Sequence, residues 1–184
     1  MSDKNFVKQQ YEAEVKQADL DHHKPTAGAM TGHILSNFFI FDVKLHQIKW
    51  SIKGILAEAV APLLTELIAQ NRENIDELGE LLLDENEVVP TTTAEIHEYG
   101  KLAEDASFKY YDGTEMLELL AKDFVMQDLF IDRAIKLATT ENRVGLADYL
   151  VDLRRYNNRM QRRIQAVLGK TAWEDLVEVD EDDD

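Results

Sequence analysis

The sequence predicts an all-α domain: four long helices forming a bundle, a short helix inside one long crossover, and an extra helix at the N-terminus. Two observations carry this. Over four long stretches apolar residues recur at spacings of three and four, the period of a helix face rather than the alternation of a strand. Only three prolines and eight glycines interrupt 184 residues. Most of the rest are Leu, Ala, Glu, Lys and Gln, which lose little entropy in helices. That length suits one packed domain with appendages and is short for two.

The first element is amphipathic, from about Asp3 to Leu20, with Phe6, Val7, Tyr11, Val15 and Leu20 near helical spacing. Pro25 and Gly28 are expected to break it and leave a connector. The first long helix runs from about Ala29 to Gly54 on Ile34, Phe38, Phe41, Leu45, Ile48 and Ile52, with Gly54 closing it. The second spans about Ala57 to Asp84 on Leu63, Leu67, Ile75, Leu78 and Leu82, with Pro62 tolerable near its first turn. Between Glu85 and Glu115 lies a connection too long for a hairpin, where Thr93 is read as the cap of a short helix. Asp112-Gly113-Thr114 opens the third long helix, carrying Met116, Leu120, Phe124, Leu129 and Ile135 to about Thr139. The fourth runs from Asn142 to Leu168 and stops at Gly169. The chain thus divides into an N-terminal helical extension and linker at 1–28, a bundle at 29–169 and an acidic tail at 170–184. A long connection between the second and third helices marks the ferritin-like four-helix bundle rather than the up-down form, with a generic α-bundle as the alternative.

Composition narrows function. The absence of cysteine excludes disulfides and thiolate zinc sites and suits a reducing cytosol. No stretch resembles a signal peptide or reaches about 18 uninterrupted apolar residues, so an intracellular, non-membrane protein is expected. A net charge of −16 opposes general attraction to nucleic acid, so any DNA contact must be local. Eight acids lie in the ending WEDLVEVDEDDD, expected to be solvated.

The segment Leu45-His46-Gln47-Ile48-Lys49-Trp50-Ser51-Ile52-Lys53-Gly54 resembles the Dps signature, in which the first long helix carries LHQ, one residue, His-Trp, two residues, a basic residue and Gly. The mid-crossover helix and Ala166-Val167-Leu168-Gly169 agree with it, and the resemblance covers about residues 30 to 170. It implies a shell of twelve subunits, cytoplasmic and nucleoid-associated, that protects DNA under stress and oxidises and stores iron. In that family two His and an Asp from one subunit meet an Asp and a Glu from its partner to form a ferroxidase site. Here the first three positions fall on Lys49, Ala61 and Thr65, while the later pair falls on Asp76 and Glu80, one helical turn apart. Three of the five ligands are thus replaced, and an ammonium offers no lone pair to a metal. No catalytic residue is assigned. Lys49 is expected to reach across the interface to Asp76 or Glu80 as counter-charge, whereas without the resemblance those two acids read as solvated helix-face residues. His46 and Trp50 read as packing residues.

Family shells admit iron through acidic threefold pores near the start of the fourth helix; here Arg143 lies between Glu141 and Asp148, which weakens such a funnel. Dps proteins commonly bind DNA through basic extensions, and this extension bears Lys4, Lys8, Lys16 and Lys24, the first three sharing a stripe with Glu12. The segment is nearly neutral, so a helix packed on the shell is the competing reading, but twelve weak sites bind a long polyanion with avidity. Such binding is to phosphates and independent of sequence. Asp19, Asp21, His22 and His23 form a weaker candidate for a stray divalent metal, and Arg154, Arg155, Arg159, Arg162 and Arg163 read as intersubunit salt-bridge partners. The leading reading is therefore a DNA-binding, DNA-protecting shell subunit with a degenerate ferroxidase site. The alternatives are an iron-oxidising, iron-storing mini-ferritin using a relocated site on Asp76, Glu80 and Glu66 or Glu77, or a shell with neither activity. Iron is the metal the resemblance implies, though not through a complete site.

Overall fold

In the computed structural model residues 4–176 are described, the side chains of 21–23 excepted. Among them are α1 (Lys4–His23), α2 (Ala27–Ser51), α3 (Ile55–Asp84), α4 (Thr93–Tyr99), a 3₁₀ turn (Ala106–Tyr110), α5 (Gly113–Thr140) and α6 (Val144–Val167). The four long helices α2, α3, α5 and α6 form the bundle, and the crossover between α3 and α5 carries α4 and the 3₁₀ turn.

Local chemistry sets the helix ends. Asp112 caps α5 with a reciprocal bond to Glu115, satisfying two donors that a helix start leaves open. Thr92, not Thr93, does the same for α4 with Glu95. Gly54 does not close α2, which ends at Ser51 with Ile52 as its cap. It starts α3 instead, at φ 72°, a left-handed conformation that favours glycine. Pro62 lies further inside α3 than the first turn, on its exposed face, where it removes the bond to the Glu58 carbonyl one turn back and its ring crowds that carbonyl. Gly28 does not break a helix. It lies in the first turn of α2, where a Cβ would press on the carboxyl end of the Glu87 side chain, so glycine there makes room for a neighbour rather than bending the chain.

The predicted apolar faces form two cores. One gathers Phe41, Leu45, Leu64, Leu67, Leu117, Leu120, Phe124 and Ile164; the other gathers Ile34, Phe38, Leu78, Leu82, Ile131, Leu146 and Leu150. Leu129, expected on the inner face of α5, is exposed. The first part of the acidic tail keeps Glu174 and Asp175 exposed but is anchored on the bundle: Gln161 donates to the Ala172 carbonyl (2.9 Å), Gln165 to that of Glu174 (2.7 Å), and Leu176 packs on the first core. Residues 177–184 lie outside the described residues.

Candidate functional site

Along the groove between α2 and α3, the three positions the resemblance marks as degenerate come together. Lys49, in the last turn of α2 where a cation favours the helix dipole, donates from Nζ to Thr65 Oγ1 at 3.2 Å, and Thr65 donates to the Ala61 carbonyl at 2.9 Å. The side chains offered are an ammonium, a methyl and one hydroxyl whose lone pairs already face the lysine. Iron needs several hard oxygen or imidazole donors, and this set does not fit it.

One to two turns further along the groove, Arg72 of α3 reaches back to α2. Its guanidinium donates to Asp42 Oδ1 (3.1 Å) and Oδ2 (3.4 Å) and to His46 Nε2 (3.1 Å). Arginine only donates, so His46 Nε2 accepts and its protonated Nδ1 donates to the Asp42 carbonyl at 2.6 Å. The ring also meets Trp50 edge to face, at 5.0 Å between centroids. The packing role expected for His46 holds; Arg72 carried no signal in the sequence, because its partners lie 26 and 30 positions away. Trp50 is 77% exposed in the single subunit.

Asp76 and Glu80 are exposed on α3. At about 1.5 Å per residue Asp76 lies roughly 16 Å along the helix from Thr65, beyond the reach of Lys49 within one subunit.

At the start of α6, Arg143 is held by Glu87 (2.6 Å), Glu141 (2.9 Å) and Glu85 (3.6 Å), while Glu141 also accepts from the Ala27 amide (2.8 Å). The acids nearest the expected pore are therefore turned onto an arginine and a helix N-terminus, and Arg143 pairs with Glu85 and Glu87 rather than with Asp148. Three of the α6 arginines form ion pairs inside the subunit. Arg154 bonds Asp128 (2.8 Å) and Asp132 (2.9 Å) and lies over Trp173; Arg163 bonds Glu66 (2.6 Å); Arg155 pairs with Asp152. Glu66, held by Arg163 with its carboxyl below the usual range, is the less suited to a relocated iron site.

The N-terminal helix stands largely clear of the bundle. Helix α1 ends because the residue before a proline disfavours the α conformation, although the Lys24 amide still closes the last turn on the Leu20 carbonyl (3.0 Å). Glu14, Gln17 and Ala18 face the body across a cleft of about 130 Å³ whose far wall includes Gly28, Gly32, His33 and Tyr99. Phe6, Tyr11, Val15 and Leu20 remain exposed, as do Lys4, Lys8, Lys16 and Lys24. Lys8 pairs loosely with Glu12 at 3.7 Å. Of the candidate metal group on this helix, the side chains of Asp21, His22 and His23 lie outside the described residues, and among the described residues no cluster of three or more His, Asp or Glu could hold a metal. No helix of the described residues is long and apolar enough to cross a membrane.

Residues 31–172 match the family model of the ferritin-like domain. Among solved structures, the chain superposes on Lactococcus lactis MG1363 DpsB with a TM-score of 0.86 at 40% identity, over 92% of this chain and 98% of that one. Lactococcus lactis MG1363 DpsA gives 0.85 at 39% identity, over 91% and 99%. Dps from Listeria monocytogenes, at 23% identity and a TM-score of 0.78 over 81% and 97%, shares the fold. No curated protein sequence matches the chain. With a family match over most of its length and about 40% identity to two Dps proteins across nearly the whole of each, the chain belongs to the ferritin-like family and, within it, to the Dps mini-ferritins.

Proposed function

We propose that this chain is the subunit of a dodecameric Dps shell that binds DNA without sequence preference through its N-terminal helices, protects it, and has a degenerate ferroxidase site. The observation that carries this reading is α1: a 20-residue helix leaving the bundle with Lys4, Lys8 and Lys16 exposed along it and Lys24 exposed at its base. The chain as a whole is strongly acidic, so contact is confined to these helices, and their repetition over the shell supplies the avidity that one near-neutral helix lacks.

The α2–α3 groove supports the second half of the proposal. Lys49 forms no ion pair among the described residues, and in the shell its ammonium meets Asp76 or Glu80 of the partner subunit, neutralising the two acids that a ferroxidase would give to iron. Iron is then cargo at most, and the cytoplasm and nucleoid are where such a shell works.

Mobility shift of duplex DNA across a salt series tests the reading. With about three phosphates neutralised per helix, affinity falls roughly 40-fold for each engaged helix between about 50 and 200 mM salt. Changing Lys4, Lys8, Lys16 and Lys24 together to Gln should abolish the shift while leaving the particle size intact, as should deletion of residues 1–24. Unchanged binding by both variants would refute the assignment.

A further inference from the structure

The two apolar cores are separated by a polar layer through the middle of the bundle. Between Ile68 and Leu78 on α3, the buried residues are Asn71 and Asn74; between Phe124 and Phe130 on α5 they are Gln127 and Asp128; between Leu153 and Met160 on α6 there is Asn157. The antiparallel pairings bring these positions to one level. Asn71 Nδ2 donates to the Phe38 carbonyl of α2 (3.0 Å), Phe41 of α2 meets Phe124 of α5 edge to face (5.2 Å between centroids), and Asn157 Nδ2 donates to Asp128 Oδ1 (3.0 Å). All five side chains belong to residues at most 4% exposed.

Much of this layer is left open. Asn71 Oδ1, Asn74 Nδ2, Asn157 Oδ1 and both amide atoms of Gln127 are buried with no hydrogen-bond partner among the described residues. Leaving a buried polar group unpaired costs about as much as a lost core contact, and five in one layer would together consume much of a domain's net stability. Something satisfies them. The open atoms include N–H donors as well as carbonyl acceptors, which a bare cation cannot serve. Among the described residues the carboxylate buried in the layer, Asp128, already faces Arg154 at 2.8 Å and Asn157. Water gives and takes hydrogen bonds in one small volume and fills polar interiors of this kind.

We propose that this layer is an internal hydration site, a cluster of water molecules bound between α3, α5 and α6 and bridging Asn71, Asn74, Gln127 and Asn157. The site belongs to each subunit alone and is independent of DNA or iron. It also fixes helix register, since a slip of one turn would set these amides against Leu78 or Leu153.

High-resolution crystallography of the full chain tests it. Discrete peaks should lie about 2.7–3.2 Å from the Gln127 and Asn157 amide atoms and vanish in Gln127→Leu. Direct amide-to-amide bonds with no density between them would overturn the proposal. So would a single peak ringed only by oxygens at about 2.0–2.6 Å, the signature of a metal. In solution, oxygen-17 relaxation dispersion should count fewer long-lived waters per subunit in Gln127→Leu and in Asn157→Leu than in the parent, and an equal count in both would overturn it.

Discussion

Replacing Lys44 by Met should destabilise the subunit in a manner that depends on pH. Lys44, 4% exposed in α2, donates to Asp123 Oδ1 of α5 (2.7 Å) and to the Ala103 carbonyl of the crossover (2.6 Å), tying three segments with one ammonium. Burial pushes the Asp123 carboxyl up to about 6 even though Lys44 opposes the rise. Without the lysine nothing opposes it, and a carboxylate with a side chain only 10% exposed is left unpaired. Breaking one half of a buried pair costs about 3–5 kcal/mol, a fifth or more of a typical net stability of about 5–15. The sign follows from linkage. A folded pKa raised above the unfolded value of 3.8 contributes stability that is present below that value and lost as pH rises through the folded one. The cost of Lys44→Met is therefore largest near pH 8 and smaller near pH 5, where Asp123 is protonated. Urea unfolding at matched protein concentration measures it, and the double variant Lys44→Met/Asp123→Leu should recover most of the loss. A single-variant cost under about 1 kcal/mol at pH 8, or one that grows on acidification, would refute the reasoning.

Other outcomes follow from the same geometry. Burial also raises the Asp128 carboxyl, to about 7, so its contribution to stability is lost as pH rises toward neutrality, and Asp128→Asn should flatten that part of the stability–pH curve. Aerobic Fe(II) oxidation should proceed at the buffer rate with the native chain and rise when Lys49, Ala61 and Thr65 become His, His and Asp. A native rate above buffer that Asp76→Ala/Glu80→Ala abolishes would show that the surviving acids still organise iron. Gly28→Val would drive a side chain into Glu87 and should cost about 1–3 kcal/mol by thermal unfolding. Leu78→Ala, fully buried in the second core, should cost about 2–5 kcal/mol in the same assay.

The bundle, its crossover helix and the family were legible in the sequence because periodicity and caps are local signals. Ile34 to Ile52 recur on one face, and Asp112 stands before Gly113 and Glu115 whatever the rest of the chain does. Lys49, Ala61 and Thr65 were singled out by the resemblance alone, and the contact between Lys49 and Thr65 across two helices is what the tertiary structure adds. Gly28 read as a breaker because its reason is the distant Glu87 carboxyl, and the 3₁₀ turn at Ala106–Tyr110 had no periodicity to announce it. The arginine at the head of α6, the Arg72 bridge, the tail segment at 170–176 and the amide layer between the cores were decided by tertiary structure alone. Each depends on which side chains meet across separate helices, and polar residues spaced along α3, α5 and α6 acquire a common role only when packing sets them at one level.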